Sequence, residues 1–183
     1  SEMMGASFDF HPKRQMLTLN LVDPAHPLVA AFNGVGFIHS DELYMFKNAF
    51  SKLNFRPLLE ADMKKLDETS RNNPRISQMD HLYVSWIKSY GKGRVFYVSP
   101  SHQPQSYETE CMLKFNLDGI QYALGDLHCD DSPVSEQAAA GSFPLATPAS
   151  MADVFVSAED WEVAQIAARD LVLRRNPAVR EDD

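Results

Sequence analysis

The chain has 183 residues, enough for one domain with a sizeable core and too few to require two. A formal charge of −8 with scattered basic residues argues against a nucleic-acid surface, which needs a basic patch. No apolar run nears the ~18 residues of a membrane span. Ser1-Glu2-Met3-Met4 lacks the basic-then-apolar layout of a signal peptide; a soluble protein that touches neither nucleic acid nor membrane is expected, in the cytoplasm or, should the natural N-terminus lie upstream, the periplasm.

Leu17, Leu19 and Leu21 alternate with Thr18, Asn20 and Val22, which predicts a strand with one firmly apolar face. Asp23-Pro24 ends it. Pro27 opens a short helical turn through Leu28, Val29 and Phe32, closed by Asn33-Gly34. Residues 37–46 read as partly extended. Residues 53–59 read as another short strand, although Pro57 argues against a central position. Residues 62–71 read as a polar helix or an irregular loop, ended by Asn72-Asn73-Pro74.

Residues 82–87 and 94–98 read as two strands of a hairpin. The intervening loop, 88–93, is longer than an ideal two-residue turn, and its glycines suit positive φ. Val95, Phe96, Tyr97 and Val98 are apolar in succession, as in a strand buried on both faces. Residues 107–124 read as a helix with Cys111, Met112, Phe115, Gly119, Ile120 and Ala123 on its apolar stripe, capped by Gly125. Between 130 and 152 the composition shifts to Ser, Pro, Ala and Gly, a linker or strap. A last helix starts at Ser157 and stops at Asn176-Pro177, with Trp161, Ala164, Ala168, Leu171 and Val172 on one side. The densest basic group, Arg169, Arg174 and Arg175, complements that helix's C-terminus. The expected organisation is therefore a domain over 1–126, a strap over 127–152 and a helix with tail over 153–183.

The motifs of common nucleotide, serine-hydrolase and zinc sites are absent from the sequence. Cys111 and Cys129 have neither metal nor disulfide spacing and read as free thiols, Cys111 as a packing residue. Three clusters carry chemistry. His11 and His26 each precede a proline, which biases them to extended geometry; loop histidines capping turns are the plainer alternative. In Ser40-Asp41-Glu42-Leu43-Tyr44, an extended backbone sends Asp41 and Glu42 to opposite faces, pairing Glu42 with Tyr44 and Asp41 with His39. A carboxylate beside a phenol can bind sugar hydroxyls, hold a metal or move a proton, against the alternative of a solvated turn. His102 follows an apolar strand, where an imidazole can serve as acid, base or ligand. A loop leaving the carboxyl end of a buried strand in an α/β sheet is a common ligand site, and Tyr107 lies just beyond it.

These residues together resemble the ThuA-like family, named for trehalose utilisation. The matching pieces, in order, are Gly5-Ala6-Ser7-Phe8-Asp9-Phe10-His11-Pro12, Asp23 to Pro27, Asp41-Glu42-Leu43-Tyr44, Tyr90 to Tyr97 followed by Ser101-His102, and Gly119-Ile120-Gln121-Tyr122-Ala123-Leu124-Gly125. Each is short; five in the right order are specific, and they cover about residues 3 to 126. The resemblance implies an α/β fold, the flavodoxin-like three-layer sandwich of the class I glutamine amidotransferase-like proteins, without their nucleophilic cysteine and so without glutamine amidotransferase activity. It implies a bacterial protein of disaccharide or keto-sugar catabolism. Three departures stand out. Ser101 replaces a glycine before His102, Gln103 stands where an acid is common, and the family's opening βαβ units have no counterpart. A chain incomplete at its N-terminus, or completed by a partner chain or in a homo-oligomer, is the expectation that follows.

The resulting expectation is acid/base or metal-assisted sugar chemistry by a hydrolase, lyase or isomerase, with a non-catalytic sugar-binding or interaction module as the alternative. His102, Glu42 and His11 would be catalytic, and Asp41, Tyr44, His26 and Tyr107 would bind substrate. No ligand set for a metal is assigned, though His and carboxylate side chains suit zinc or manganese. Convergence of His11, Glu42 and His102 on one cavity is the feature that separates the enzyme from the binding module.

Overall fold

The strand over the leucine alternation is Gln15–Leu21 (β2), and from Leu17 onward both of its faces are buried. Thr18 and Asn20, expected to face solvent, are only 7% and 5% exposed. The reason is position: β2 lies inside a five-stranded sheet, flanked by Phe37–Asp41 (β3) and Arg56–Ala61 (β5). That sheet continues through Tyr83–Tyr90 (β6) to Gly93–Val98 (β7), in the order β3-β2-β5-β6-β7. A separate two-stranded sheet joins Ser7–Phe10 (β1) to Met45–Lys47 (β4). These elements come from a computed structural model, which describes residues 2–47 and 54–133.

The extended stretch after residue 36 is thus two strands in two sheets, β3 and β4, with Glu42, Leu43 and Tyr44 as the link between them. Pro57 does sit in a central strand. The register of β5 against β6 shifts between Pro57 and Leu59, so a bulge absorbs the ladder bond that proline cannot donate. Residues 62–71 hold a 3₁₀ turn, Met63–Lys65, and one helical turn, Glu68–Arg71 (α1), capped by Asp62 and Asp67; Pro74–Ser77 (α2) follows.

The β6–β7 hairpin is tighter than the sequence suggests. Tyr90 pairs with Gly93, leaving only Gly91-Lys92 as the turn, and Gly91 takes φ +58°. β7 is an edge strand, with Arg94 exposed and Val95 to Val98 half-buried, not a strand buried on both faces. Every strand pairing among the described residues is antiparallel. His102 therefore does not lie at the crevice of a parallel sheet. It reaches the site on the loop that leaves an antiparallel edge.

The long helix is Glu110–Leu124 (α3), preceded by a 3₁₀ turn at Pro104–Tyr107. Proline at 104 favours that separate turn, and Thr109 restarts the chain as N-cap. Its inward face is Met112, Phe115, Gly119 and Tyr122, while Ile120 is 52% exposed, a stripe rotated from the one the spacing suggests. Gly119 lets α3 approach β7: a Cβ there would meet the Phe96 ring at 2.3 Å. The main core gathers Leu17, Leu19, Leu21, Phe32, Phe37, Val84, Ile87 and Phe115, each buried side chain contributing about 1.5–3 kcal/mol. A second cluster holds Val22, Phe55, Tyr83 and Trp86.

The first residues of the expected strap are anchored. Leu127 and Cys129 pack on the core, Asp131 accepts from Tyr122 and Ser89, and Arg56 bridges Asp23 and Asp130. The remainder of the strap and the Trp161 helix lie outside the described residues. Among the described residues no helix is long and apolar enough to cross a membrane.

Candidate active site

Three segments meet at one place: the end of β1 carrying His11, the β3–β4 link carrying Glu42 and Tyr44, and the loop after β7 carrying His102. Glu42 Oε2 lies 3.7 Å from His11 Nδ1 and 3.7 Å from His102 Nδ1. The carboxylate is 18% exposed, and the two imidazoles are 42% and 49% exposed, so the cluster opens to solvent through its histidines. Tyr44 Oη is 2.9 Å from His102 Nδ1. The rings of His11, Tyr44 and Phe8 lie within 5.4 to 6.2 Å of one another.

A hydrogen bond fixes the ring proton of His11. His11 Nδ1 lies 3.0 Å from the Pro12 carbonyl, which can only accept. The proton of neutral His11 therefore sits on Nδ1, and Nε2 carries a lone pair. At Tyr44, burial raises the phenol's pKa, and the Glu42 and Asp41 charges and a hydrogen bond to Glu42 raise it further, so its hydroxyl stays protonated between Glu42 and His102 Nδ1. Two imidazoles flank a single carboxylate, and His11 keeps its Nε2 lone pair for a proton.

Asp41 does not reach the mouth. It is fully buried, and its oxygens are taken up. Oδ1 accepts from the Glu42 amide at 2.8 Å, and Oδ2 accepts from the His102 amide at 3.2 Å and from Ser106 Oγ at 3.1 Å. His39 Nε2 lies 3.3 Å from Oδ2 and 2.8 Å from Ser106 Oγ. Burial alone would raise the Asp41 carboxyl, but the bonds from His39, Glu42 and Ser106 outweigh it and hold the group below the usual carboxylate range. Asp41 thus holds the backbone of two site residues in place.

His26 lies elsewhere. Its Nδ1 accepts from the Leu28 amide at 3.3 Å, capping the turn at Pro27–Phe32, and its Nε2 donates to the Asp130 carbonyl at 3.0 Å. Tyr107 donates its hydroxyl to the Ser101 carbonyl at 3.0 Å, supporting the His102 loop from outside. Arg14 reaches the same loop, donating to Ser40 Oγ at 3.1 Å and to Gln103 Oε1 at 3.2 Å. Gln103, where an acid is common, here accepts from an arginine through its amide. Ser106, Arg14 and Phe8 are the site's neighbours that sequence reasoning missed. Ser106 lies in a 3₁₀ turn with no spacing that marks it, whereas Arg14, one residue before β2, had a position from which to face β3.

The zinc or manganese alternative does not fit these groups. Among the described residues no three His, Cys, Asp or Glu side chains are grouped to hold a metal. The Nδ1 atoms facing Glu42 are already bonded to Pro12 and Tyr44. Both cysteines pack against the main core, and burial pushes the thiols of Cys111 and Cys129 up to about 11, with Asp131 and Asp130 adding to the shift at Cys129.

An α/β protein with two histidines and a carboxylate gathered on the loops between antiparallel strands is the class these observations define. A family model described as trehalose utilisation, ThuA, matches residues 1–123, and the chain belongs to that family. Comparison with curated proteins and with solved structures returned no match.

Proposed function

We propose that the protein is an enzyme of sugar catabolism that moves protons at a carbon beside a carbonyl, on a keto-sugar derived from trehalose or a related disaccharide. The observation that carries this reading is the convergence of His11 and His102 on Glu42, with Tyr44 bonded to His102. His11 Nε2 is the base that takes the C–H proton. His102 is the acid that protonates the oxygen as enediol character develops. Glu42 stabilises whichever imidazole is cationic, and Tyr44 holds the His102 ring. Such a pair serves an isomerase or a lyase, since neither reaction needs a nucleophile. The family's trehalose-utilisation description supports the sugar assignment; a flavodoxin-like three-layer arrangement for the domain and a place in the cytoplasm belong to the same proposal.

Proton exchange tests this directly. Incubation with 3-keto-trehalose or 3-keto-glucose in deuterated water is expected to place deuterium beside the carbonyl, read by NMR. His11→Ala and His102→Ala should slow exchange by about 10²–10⁴-fold, the usual worth of a positioned acid or base. Wild-type exchange no faster than buffer, or unchanged rates in both variants, overturns the proposal. The non-catalytic binding module has convergence against it: its groups would be scattered, and here three segments bring them together.

A further inference from the structure

Beside the acid/base cluster is a hollow of about 300 Å³, walled by Met4, Ala6, Phe8, Tyr44, Phe46 and Tyr97 and floored by Trp86. Its volume is at the low end for small-molecule sites, which run from about 300 to 1,000 Å³. The aromatic walls are held rigidly. Trp86 stacks on Tyr97 at 4.2 Å and on Phe55 at 4.9 Å, and Phe46 meets both Trp86 and Tyr97 edge-on. The Trp86 indole N–H is tied to the Met4 carbonyl at 2.8 Å. Phe8 is different. It is 54% exposed and, among the described residues, meets Tyr44 edge-on and lies near His11, so an aromatic ring is presented at the hollow.

Tyr44 is a wall shared by the hollow and the cluster, because its hydroxyl bonds His102 while its ring lines the cavity. The hollow's lining is therefore mostly aromatic, and His102 and Glu42 lie across the Tyr44 hydroxyl from it. A six-membered sugar ring has the same division, with C–H groups on its faces and hydroxyls around its edge. An aliphatic ligand would leave the polar rim unpaired, and a purely ionic one would gain nothing from the aromatic walls. Burial pushes the Tyr97 phenol up to about 12, partly countered by the Ser99 side chain, so this wall of the hollow stays uncharged.

We propose that this hollow is a binding subsite for one pyranose ring, stacked on Phe8 with its hydroxyl edge turned to Tyr44 and Glu42. The subsite rests on the reading of the adjoining cluster as a sugar-processing site and gives that site its substrate ring. Phe8 is a binding residue, with no part in proton transfer.

The test uses the full chain with methyl α-D-glucopyranoside and trehalose as probes, by calorimetry and saturation-transfer NMR. Both sugars are expected to bind, with the ring C–H protons receiving saturation from the protein's aromatic protons. Phe8→Ala should weaken binding about tenfold and Phe8→Tyr should keep it within about twofold, as one exposed aromatic face predicts. Phe8 is exposed enough that neither variant should disturb folding, which circular dichroism checks. Equal affinity in wild type and Phe8→Ala overturns the subsite, as does failure of the wild type to bind either sugar. Displacement of the glucoside by an equal concentration of cyclohexanol also overturns it. Phe8-dependent sugar binding without any deuterium exchange in the wild type supports the subsite while removing the proposed chemistry, so the two fail separately.

Discussion

The backbone amide of His102 donates to Asp41 Oδ2 at 3.2 Å, across 61 positions of sequence. The other oxygen of that carboxylate holds the amide of Glu42 at 2.8 Å. One buried side chain therefore sets the spacing between an imidazole and the carboxylate it faces. Asp41→Asn cannot reproduce this, because an amide offers one accepting oxygen where the carboxylate offers two. It is expected to cost about 2–4 kcal/mol in urea unfolding, since it leaves His39 and a backbone amide short of a partner. It should also slow sugar proton exchange more than its stability loss explains.

Asp41 has a second consequence, in acid. Its folded pKa lies below the unfolded value of 3.8, so the stabilisation is present above that pH and is lost as pH falls through the folded pKa. Urea midpoints measured from pH 5 down to pH 2 should fall in the wild type and fall less steeply in Asp41→Asn.

His26 shows the opposite chemistry with the same sign of slope. Burial, partly countered by the Asp130 carbonyl, lowers its pKa below 6.5. The unfolded chain then binds the proton more readily, so stability is full above pH 6.5 and declines as pH falls toward the folded value. Thermal midpoints should drop between pH 7.5 and 5.5. In His26→Gln this drop should shrink, at the expense of a lower midpoint throughout from the weakened cap on Leu28.

Gly119→Ala should be destabilising although alanine is the better helix former. The added methyl meets the Phe96 ring, itself held edge-on against Phe115 at 5.2 Å. Overpacking of this kind costs about 1–3 kcal/mol. Pairing it with Phe96→Leu should recover part of the loss, which a double-mutant cycle would read.

The two thiols should be slow to react. With pKa pushed up to about 11, roughly one thiol in a thousand is ionised at pH 8. Native protein is expected to resist iodoacetamide at Cys111 and Cys129, and urea should expose both to rapid alkylation, counted by mass spectrometry.

Much of this architecture was legible from local pattern. The leucine alternation of β2, the glycine turn of the β6–β7 hairpin and the proline-started turn before Phe32 all follow from rules that act within a few residues. The split of Asp41 and Glu42 to opposite sides was legible for the same reason, because extended backbone alternates. What the sequence hid was pairing at long range. Nothing local in Val95 to Val98 says that β7 is an edge strand, and nothing near Pro57 shows the bulge that lets it lie in the middle of a sheet. Ser106 is hidden likewise: it matters only because the fold brings it under Asp41. Phe8 looked like part of a His-Pro motif, and its exposure could not be read from its neighbours.

The turn from Asp41 to Tyr44 links two sheets as well as two site residues, since β3 belongs to one sheet and β4 to the other. A change in the angle between those sheets would alter the distance from Glu42 to each histidine, because His11 rides on the end of β1 in the small sheet and His102 follows the far edge of the large one. The spacing of Glu42 from the two histidines is therefore a property of how two sheets are set against each other. A substitution in the β1–β4 pairing, at Phe10 or Met45, is expected to shift that spacing while leaving Glu42 and both histidines in the sequence.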